Sequence, residues 1–228
     1  MKIAGMVKNS FVDYPARVAC VVFVPGCNYN CFYCHNRALI HDAPAVKTEE
    51  EVLAFLQKRV GLLDGVVITG GEPTLQPDLI PFLAKVKALG FLTKLDTNGS
   101  RPEVVQQVLV SGLCDYYAVD YKAPACQYPE ICGDHADAEK TLATVRLLQQ
   151  SNADFEVRTT IFPQLSEADL LTMAAELPPL SRYVLNRYRK PETCLPQDEE
   201  RVNAPPYTQK QVEALADRVR TVQPNVIA

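Results

Sequence analysis

Several features are scarce or missing in this chain of 228 residues, and each absence excludes a class of protein. No apolar run approaches the roughly 20 residues that a membrane-spanning helix needs. Residues 1–8 lack the long apolar core of a secretory signal peptide. The formal net charge of -4 gives no general attraction to nucleic acid or to an anionic membrane. We therefore expect a cytoplasmic protein whose partners include no membrane and no nucleic acid.

Cysteine, in contrast, is abundant, with eight residues. The cytoplasm is reducing, so a framework of disulfide bonds is a poor interpretation of them. Three lie close together, and the other five are scattered as Cys20, Cys114, Cys126, Cys132 and Cys194. Burial as small apolar residues is the simplest expectation for Cys20 and Cys114. Cys126 and Cys132 lie in a segment with loop character, where a second site is the less favoured alternative.

Apolar, β-branched runs alternate with helix signals along the whole chain. The runs predict six strands, over residues 17–24, 66–69, 92–96, 116–120, 155–161 and 183–185. Capping and breaking signals predict helices over about 48–60, 77–90, 100–112 and 136–150, and from 166 and 208 onwards. Strands that alternate with helices favour right-handed crossovers and a parallel sheet. We therefore predict an α/β fold of the partial (β/α)6 TIM-like barrel type, with an open doubly wound sheet as the alternative.

Two stretches lie outside the predicted barrel units. Residues 1–16 are expected to form a short N-terminal segment that leads into the first strand. Residues 190–228 are expected to form a proline-rich polar loop followed by an amphipathic helix. We predict a single domain over residues 1–228.

The chemically unusual residues follow the carboxyl ends of predicted strands. The first strand ends in the cysteine loop, and the second ends in Gly70-Gly71-Glu72. Later strands end in residues 96–99, 120–122 and 186–189. In a barrel these ends converge on one face, which is where active sites lie. The sequence therefore predicts one composite site with the sheet as its floor.

Cys27, Cys31 and Cys34 offer three thiolates from one compact loop. A [4Fe–4S] cluster has four irons, so three ligands would leave one iron open to bind something else. The alternative is a structural zinc site with His35 as the fourth ligand. Adjacent residues such as Cys34 and His35 reach two corners of a tetrahedron with difficulty, and zinc modules usually draw on two separated pairs. The residues of this loop alone leave both metals open.

Two motifs carry a family resemblance. The spacing Cys-x3-Cys-x2-Cys has Tyr33 before its last cysteine, and Gly70-Gly71-Glu72-Pro73 follows one strand later. Together they resemble the radical S-adenosylmethionine (SAM) superfamily. The resemblance implies a [4Fe–4S] cluster on Cys27, Cys31 and Cys34 whose open iron binds the amino and carboxylate groups of SAM. It also implies that the reduced cluster cleaves SAM to a 5′-deoxyadenosyl radical, with no catalytic residue beyond the cluster and SAM.

Shorter motifs narrow the resemblance to the activases of glycyl radical enzymes. They are Tyr33-Cys34-His35-Asn36, Val12-Asp13-Tyr14-Pro15, Asp96-Thr97-Asn98-Gly99 and Asp120-x-Lys122. Longer runs, over residues 66–79 and 94–100, resemble the activators of anaerobic ribonucleoside-triphosphate reductases, and that likeness covers about residues 1–207. One departure is that Asp13-Tyr14-Pro15-Ala16 lacks both glycines of the pyruvate formate-lyase activase pattern.

The resemblance assigns roles to further residues. Those expected to bind SAM are Tyr33, His35, Gly70, Gly71, Glu72, Asp96, Asn98, Asp120, Lys122 and Arg158. Asp96 and Asp120 would also hold a monovalent cation against the SAM carboxylate. The alternative for Arg158 is a buried arginine paired with Glu156 or an aspartate. Asp13 and Asn36 are expected to contact a peptide of the partner protein.

These expectations describe an activase that takes an electron from flavodoxin or ferredoxin and removes a hydrogen atom from a glycine Cα of a partner enzyme. The expected partner is an anaerobic ribonucleotide reductase, or else another glycyl radical enzyme of the pyruvate formate-lyase type. Two rival hypotheses stay open. One is a radical SAM enzyme that acts on a small molecule or an RNA base, and the other is a zinc-binding module without enzymatic activity.

Overall fold

The structure is a computed structural model that describes residues 1–41 and 43–228. One eight-stranded sheet organises it, and the strands follow each other in the sheet in chain order. They are β1 (Gly5–Ser10), β2 (Ala19–Val24), β3 (Gly65–Gly70), β4 (Leu92–Thr97), β5 (Tyr116–Asp120), β6 (Phe155–Ile161), β7 (Tyr183–Arg187) and β8 (Val226–Ile227). The β1–β2 pair is antiparallel, and every later pair is parallel. Within the described ranges β1 and β8 do not pair, so the barrel wall is open.

Helices connect the parallel strands. They are α1 (Glu49–Gln57), α2 (Leu79–Ala88), α3 (Pro102–Ser111), α4 (Tyr128–Cys132), α5 (Ala138–Gln150), α6 (Glu167–Glu176), α7 (Glu199–Asn203) and α8 (Gln209–Val219). Short 3-10 turns occupy Arg37–Leu39, Pro73–Leu75, Ala125–Gln127 and Pro196–Asp198. Thr48, Ser166 and Thr208 each close a capping box with the residue three positions on, as the sequence predicts for these helix starts.

The predicted fold class is confirmed. The six predicted strands are β2 to β7, and each is linked to the next by a segment that contains a helix. A doubly wound sheet reverses its strand order at a switch point, whereas this sheet keeps chain order from β1 to β8. The single-domain organisation over residues 1–228 stays a prediction.

Both end strands of the sheet were missed by the sequence pattern. Residues 1–16 contain β1, which pairs with β2 through Gly5 and Phe23, Met6 and Val22, and their neighbours. β8 is only two residues long and pairs with Tyr183 and Val184 of β7. A strand as short or as polar as these lacks a clear alternating pattern, so only the tertiary pairing reveals it.

Two segments predicted to be loops contain helix. Residues 125–132 form a 3-10 turn followed by α4, and Cys132 is fully buried. The proline-rich stretch after residue 190 includes α7. Cys20 is buried as predicted, whereas Cys114 is only partly buried.

The core is apolar on the helix-facing side of the sheet, whereas the inside of the barrel also contains buried charged residues. β2 and β3 are buried along almost their whole length with apolar side chains. Between β4 and β6, by contrast, the buried positions include Lys94, Asp96 and Glu156. No helix of the described residues is long and apolar enough to cross a membrane.

Candidate functional site

A cavity of about 300 Å³ opens at the carboxyl ends of strands β2 to β7. Nearly all residues singled out from the sequence line it: Cys27, Cys31, Tyr33, Cys34, His35, Asn36, Gly70, Gly71, Glu72, Asp96, Asn98, Asp120, Lys122 and Arg158. The convergence follows from the parallel strands, because their carboxyl ends share one edge of the sheet. The predicted composite site therefore exists as one continuous cavity.

Asp13 is the exception: it does not line this cavity, and its predicted role beside the partner peptide stays a prediction. It lies in the connection between β1 and β2, where Ser10 pairs with Ala19. Because β1 runs antiparallel to β2, this connection lies at the amino ends of the parallel strands, away from the cavity. The Asp13 carboxylate accepts a hydrogen bond from the Ser10 hydroxyl at 2.5 Å, which stabilises the turn.

Backbone hydrogen bonds close the cysteine loop on itself. The amide of Gly26 donates to the carbonyl of Leu39 at 2.7 Å, and that of Cys27 donates to Ile40 at 3.0 Å. Inside the loop the amide of Cys34 donates to the carbonyl of Cys31 at 3.1 Å. These bonds bring three cysteines from one short segment to one side of the cavity.

The three thiols share a raised pKa. Burial raises the pKa of Cys27 to about 12, and burial also raises the pKa of Cys34. A hydrogen bond with Cys132, together with burial, raises the pKa of Cys31 well above its usual value. The raised pKa values favour the thiol form, so metal binding at these cysteines would release protons. Among the described residues, no three His, Cys, Asp or Glu side chains are already gathered around one metal position.

Cys132 lies directly behind the cysteine loop, although the sequence pattern placed it apart from the site. The amide of Asn30 donates to the carbonyl of Cys132 at 2.7 Å, and the amide of Phe32 donates to Ile131 at 3.3 Å. These contacts hold the Cys132 thiol beside Cys31. No short-range spacing links a residue of α4 to the cysteine loop, so the sequence alone carries no signal for this contact.

The glycine pair at the end of β3 is required by packing against the cysteine loop. The amide of Gly71 donates to the carbonyl of Val24 at 2.8 Å, and the amide of Glu72 donates to Gly26 at 2.7 Å. A Cβ added at Gly70 would collide with the backbone of Val24, and one added at Gly71 would collide with the carbonyl of Gly26. Gly70 also has a φ of +121°, which other residues rarely adopt. Glycine here permits close approach of two backbone segments.

The Glu72 carboxylate is fully buried and joins two of the loops that line the cavity. One oxygen accepts from the amide of Thr74 at 3.0 Å and from the hydroxyls of Thr74 and Thr97 at 2.6 and 2.7 Å. The other oxygen accepts from the amide of Asn98 at 2.7 Å. Burial raises the pKa of Glu72, although these hydrogen bonds oppose the rise. Glu72 therefore positions the loops after β3 and β4.

Asn98 connects the loop after β4 to the cysteine loop. Its side-chain amide donates to Asn28 at 3.0 Å and lies 3.9 Å from the sulfur of Cys27. Its side-chain oxygen accepts from the amide of Ser100 at 2.9 Å. The Asn98 side chain is thus already engaged by the protein and lies directly beside one predicted metal ligand.

Tyr33 forms one apolar wall of the cavity. Its ring stacks on Phe162 with a centroid distance of 4.7 Å, and its hydroxyl lies 3.4 Å from the carbonyl of Lys122. These contacts fix the ring orientation.

Asn36 also lines the cavity, and its side-chain amide donates to the carbonyl of Gly70 at 3.4 Å. His35 is exposed at the cavity rim.

Paired charges form the floor of the cavity. Arg158 lies 3.0 Å from both Asp96 and Asp120, and Lys122 lies 3.1 Å from Asp120. Burial disfavours ionisation of Asp120, but Arg158 and Lys122 outweigh it and lower its pKa to about 2. Burial likewise opposes the charge on Lys122, yet Asp120 keeps the pKa of this lysine well above its usual value. Arg158 lines the cavity and pairs with both aspartates, as the alternative predicts, and its contact with SAM stays a prediction.

Replacing Glu72 with Gln is expected to lower the free energy of unfolding by about 1–3 kcal/mol, because one buried donor would lose its acceptor. Urea denaturation measures the change. Glu51→Gln is the matched control, since Glu51 accepts from a single backbone amide at an exposed helix start and glutamine can do the same. Equal losses in the two variants would contradict the positioning role of Glu72.

Comparison with known proteins identifies the family of this chain. A model of the radical SAM superfamily matches residues 21–177. A Methanocaldococcus jannaschii protein named "Putative glycyl-radical enzyme activating enzyme" is 34% identical over 195 residues, which are 82% of this chain and 79% of that protein. A pyruvate formate-lyase-activating enzyme of Streptococcus mutans is 30% identical over 185 residues, which are 74% of this chain and 69% of that enzyme.

A solved structure supports the fold. Streptococcus suis SuiB bound to S-adenosylmethionine superposes with a TM-score of 0.65 at 16% identity, over 87% of this chain and 48% of SuiB. At this identity the likeness shows the fold alone. The match to the superfamily model excludes the zinc-binding module without enzymatic activity. The chain therefore belongs to the radical SAM superfamily and, within it, to the family of glycyl-radical enzyme activating enzymes.

Proposed function

We propose that this enzyme installs a glycyl radical on a partner enzyme, and that the partner is an anaerobic ribonucleotide reductase. The observation that carries the proposal is the single cavity that unites three cysteines, the glycine turn after β3 and the paired charges of β4 to β6. The relatedness to a glycyl-radical enzyme activating enzyme over 82% of the chain supports the reaction type.

Cys27, Cys31 and Cys34 would hold three irons of a [4Fe–4S] cluster. The donor set fits, because all three thiols face one cavity and soft thiolate ligands are those that such clusters take. When bound, the cluster and SAM supply reductive cleavage of the sulfonium and hydrogen abstraction. The chain's own contribution is to position both groups and to keep water away from them.

The remaining lining residues would hold SAM. The turn at Gly70 and Gly71 presents backbone groups next to the cysteine loop. Lys122 and Arg158 provide positive charge for a carboxylate, and Asp96 and Asp120 keep those two side chains charged and in place. Tyr33 offers an apolar ring surface of the kind that an adenine requires. His35, Asn36 and Asn98 are the further polar groups at the cavity.

The open barrel wall would admit a loop of the partner. β1 and β8 leave the wall unclosed, and the end of β7 contributes Arg187 and Arg189 to the cavity lining. A glycine within a protein loop can reach the cluster only if the wall leaves room for the flanking residues. Asn36, which lines the same cavity, would contact that loop. Flavodoxin or ferredoxin would supply the electron.

A second candidate partner has its own support. The relative from Streptococcus mutans is named a pyruvate formate-lyase-activating enzyme, and it matches 74% of this chain. A glycyl radical enzyme of the pyruvate formate-lyase type is therefore the alternative. A radical SAM reaction on a small molecule or an RNA base would instead cleave SAM productively without any protein partner.

Replacing Cys31 with Ala is expected to abolish cluster assembly and SAM cleavage, because a buried ligand is lost. Iron and sulfide analysis after anaerobic reconstitution measures the first effect, and 5′-deoxyadenosine formation measures the second. Cys126→Ala is the matched control, since Cys126 is exposed and does not line the cavity. Full iron content in Cys31→Ala would show that the wrong cysteines had been assigned.

Mixing the reduced enzyme with SAM and an anaerobic ribonucleotide reductase is expected to give the glycyl radical doublet in the EPR spectrum. The same reductase with its radical glycine replaced by alanine is the control and should give no doublet. A doublet only with a pyruvate formate-lyase-type partner would select the alternative. Formation of 5′-deoxyadenosine without a radical on either partner would favour a small-molecule or RNA substrate.

A further inference from the structure

Lys94 is a buried, charged residue below the cavity, and it has no part in the binding of the cluster or SAM described so far. Its side chain is 1% exposed, and its ammonium lies 2.7 Å from Asp96 and 3.8 Å from Glu156. Lys94 and Asp96 are two residues apart on β4, so both face the barrel interior. Inward positions of barrel strands are usually filled by branched apolar side chains, so a lysine here calls for an explanation.

The aspartates above Lys94 are already saturated with side-chain cations. Asp96 Oδ1 contacts the Lys94 ammonium at 2.7 Å, and Asp96 Oδ2 contacts Arg158 Nη1 at 3.0 Å. Asp120 Oδ1 contacts Arg158 Nε at 3.0 Å, and Asp120 Oδ2 contacts the Lys122 ammonium at 3.1 Å. All four carboxylate oxygens therefore have a cationic partner. A monovalent ion between these aspartates, as the resemblance to the activases implies, would have to displace one of these cationic side chains.

We propose that Lys94 is a built-in cation that takes the place of a dissolved monovalent ion beneath the SAM site. The inference rests on the proposed function, because it concerns how SAM is held. Lys94 neutralises Asp96 from below, so Arg158 can bridge the two aspartates while it still lines the cavity. The site then presents positive charge to a carboxylate whichever salt is in the solution.

Lys94 then acts as a positioning residue, and a monovalent cation can replace its ammonium group. Removing its ammonium would leave the Asp96 and Glu156 carboxylates short of one positive charge in a buried place. A potassium or ammonium ion is close in size to the lost group and could refill the space. A residue with a merely structural role would not create a dependence on such ions.

The test measures SAM affinity of the cluster-loaded enzyme, with the cluster oxidised so that no cleavage occurs. Equilibrium dialysis of labelled SAM is run in sodium, potassium, ammonium and choline chloride at one ionic strength. Wild type should bind SAM equally in all four salts. Lys94→Met should bind about ten-fold or more weakly in choline chloride, because a charged contact is lost, and potassium or ammonium should restore it.

Lys87→Met is the matched control, since Lys87 also pairs with a carboxylate, that of Asp115 at 2.8 Å, but Asp115, unlike Asp96, does not line the cavity. It should bind SAM as wild type does in every salt. Wild-type affinity that falls in choline chloride would overturn the inference, and so would a Lys94→Met variant that keeps full affinity or is not restored by any ion. If Lys94→Met does not fold, the wild-type comparison decides. If the wild-type enzyme binds no SAM in any of the four salts, both the role of Lys94 and the proposed function are overturned.

Discussion

The parallel arrangement of β2 to β7 is the constraint on which the site depends. Because each strand lies beside its neighbour in chain order, the segments that leave their carboxyl ends meet over one edge of the sheet. Backbone contacts between Gly71 and Val24, and the Glu72 carboxylate bonded to the amide of Asn98, then fix the first three of these segments against each other. These contacts hold the cysteine loop against the segments that follow β3 and β4.

Buried charge is the second constraint. Burial of the apolar core stabilises the fold, whereas burial of charged groups destabilises it. Burying ions costs free energy unless each has a close partner. The inward faces of β4 to β6 meet this cost with alternating acids and bases, of which Arg158 between Asp96 and Asp120 is the centre. The structure thereby maintains a charged surface at the cavity floor, which suits a zwitterionic, sulfonium-bearing ligand such as SAM.

Much of the fold and site could be predicted from local sequence. Capping boxes at Thr48 and Ser166 and the β-branched runs are local signals, and the cysteine spacing is local as well. What could not be predicted depends on contacts between distant segments. The direction of β1 decides where Asp13 lies, and the docking of α4 on the cysteine loop brings Cys132 beside Cys31. No local pattern marks Lys94 within the strand predicted over residues 92–96, because its second partner, Glu156, lies on β6, two strands away in the sheet.

The central claim is that the enzyme takes a hydrogen atom from a glycine Cα of a partner protein. The most direct measurement uses an anaerobic ribonucleotide reductase whose glycines carry deuterium at Cα, together with unlabelled SAM and the reduced enzyme. Mass spectrometry of the 5′-deoxyadenosine should then show one transferred deuterium. Formation of unlabelled 5′-deoxyadenosine, with no radical on the reductase, would contradict the account.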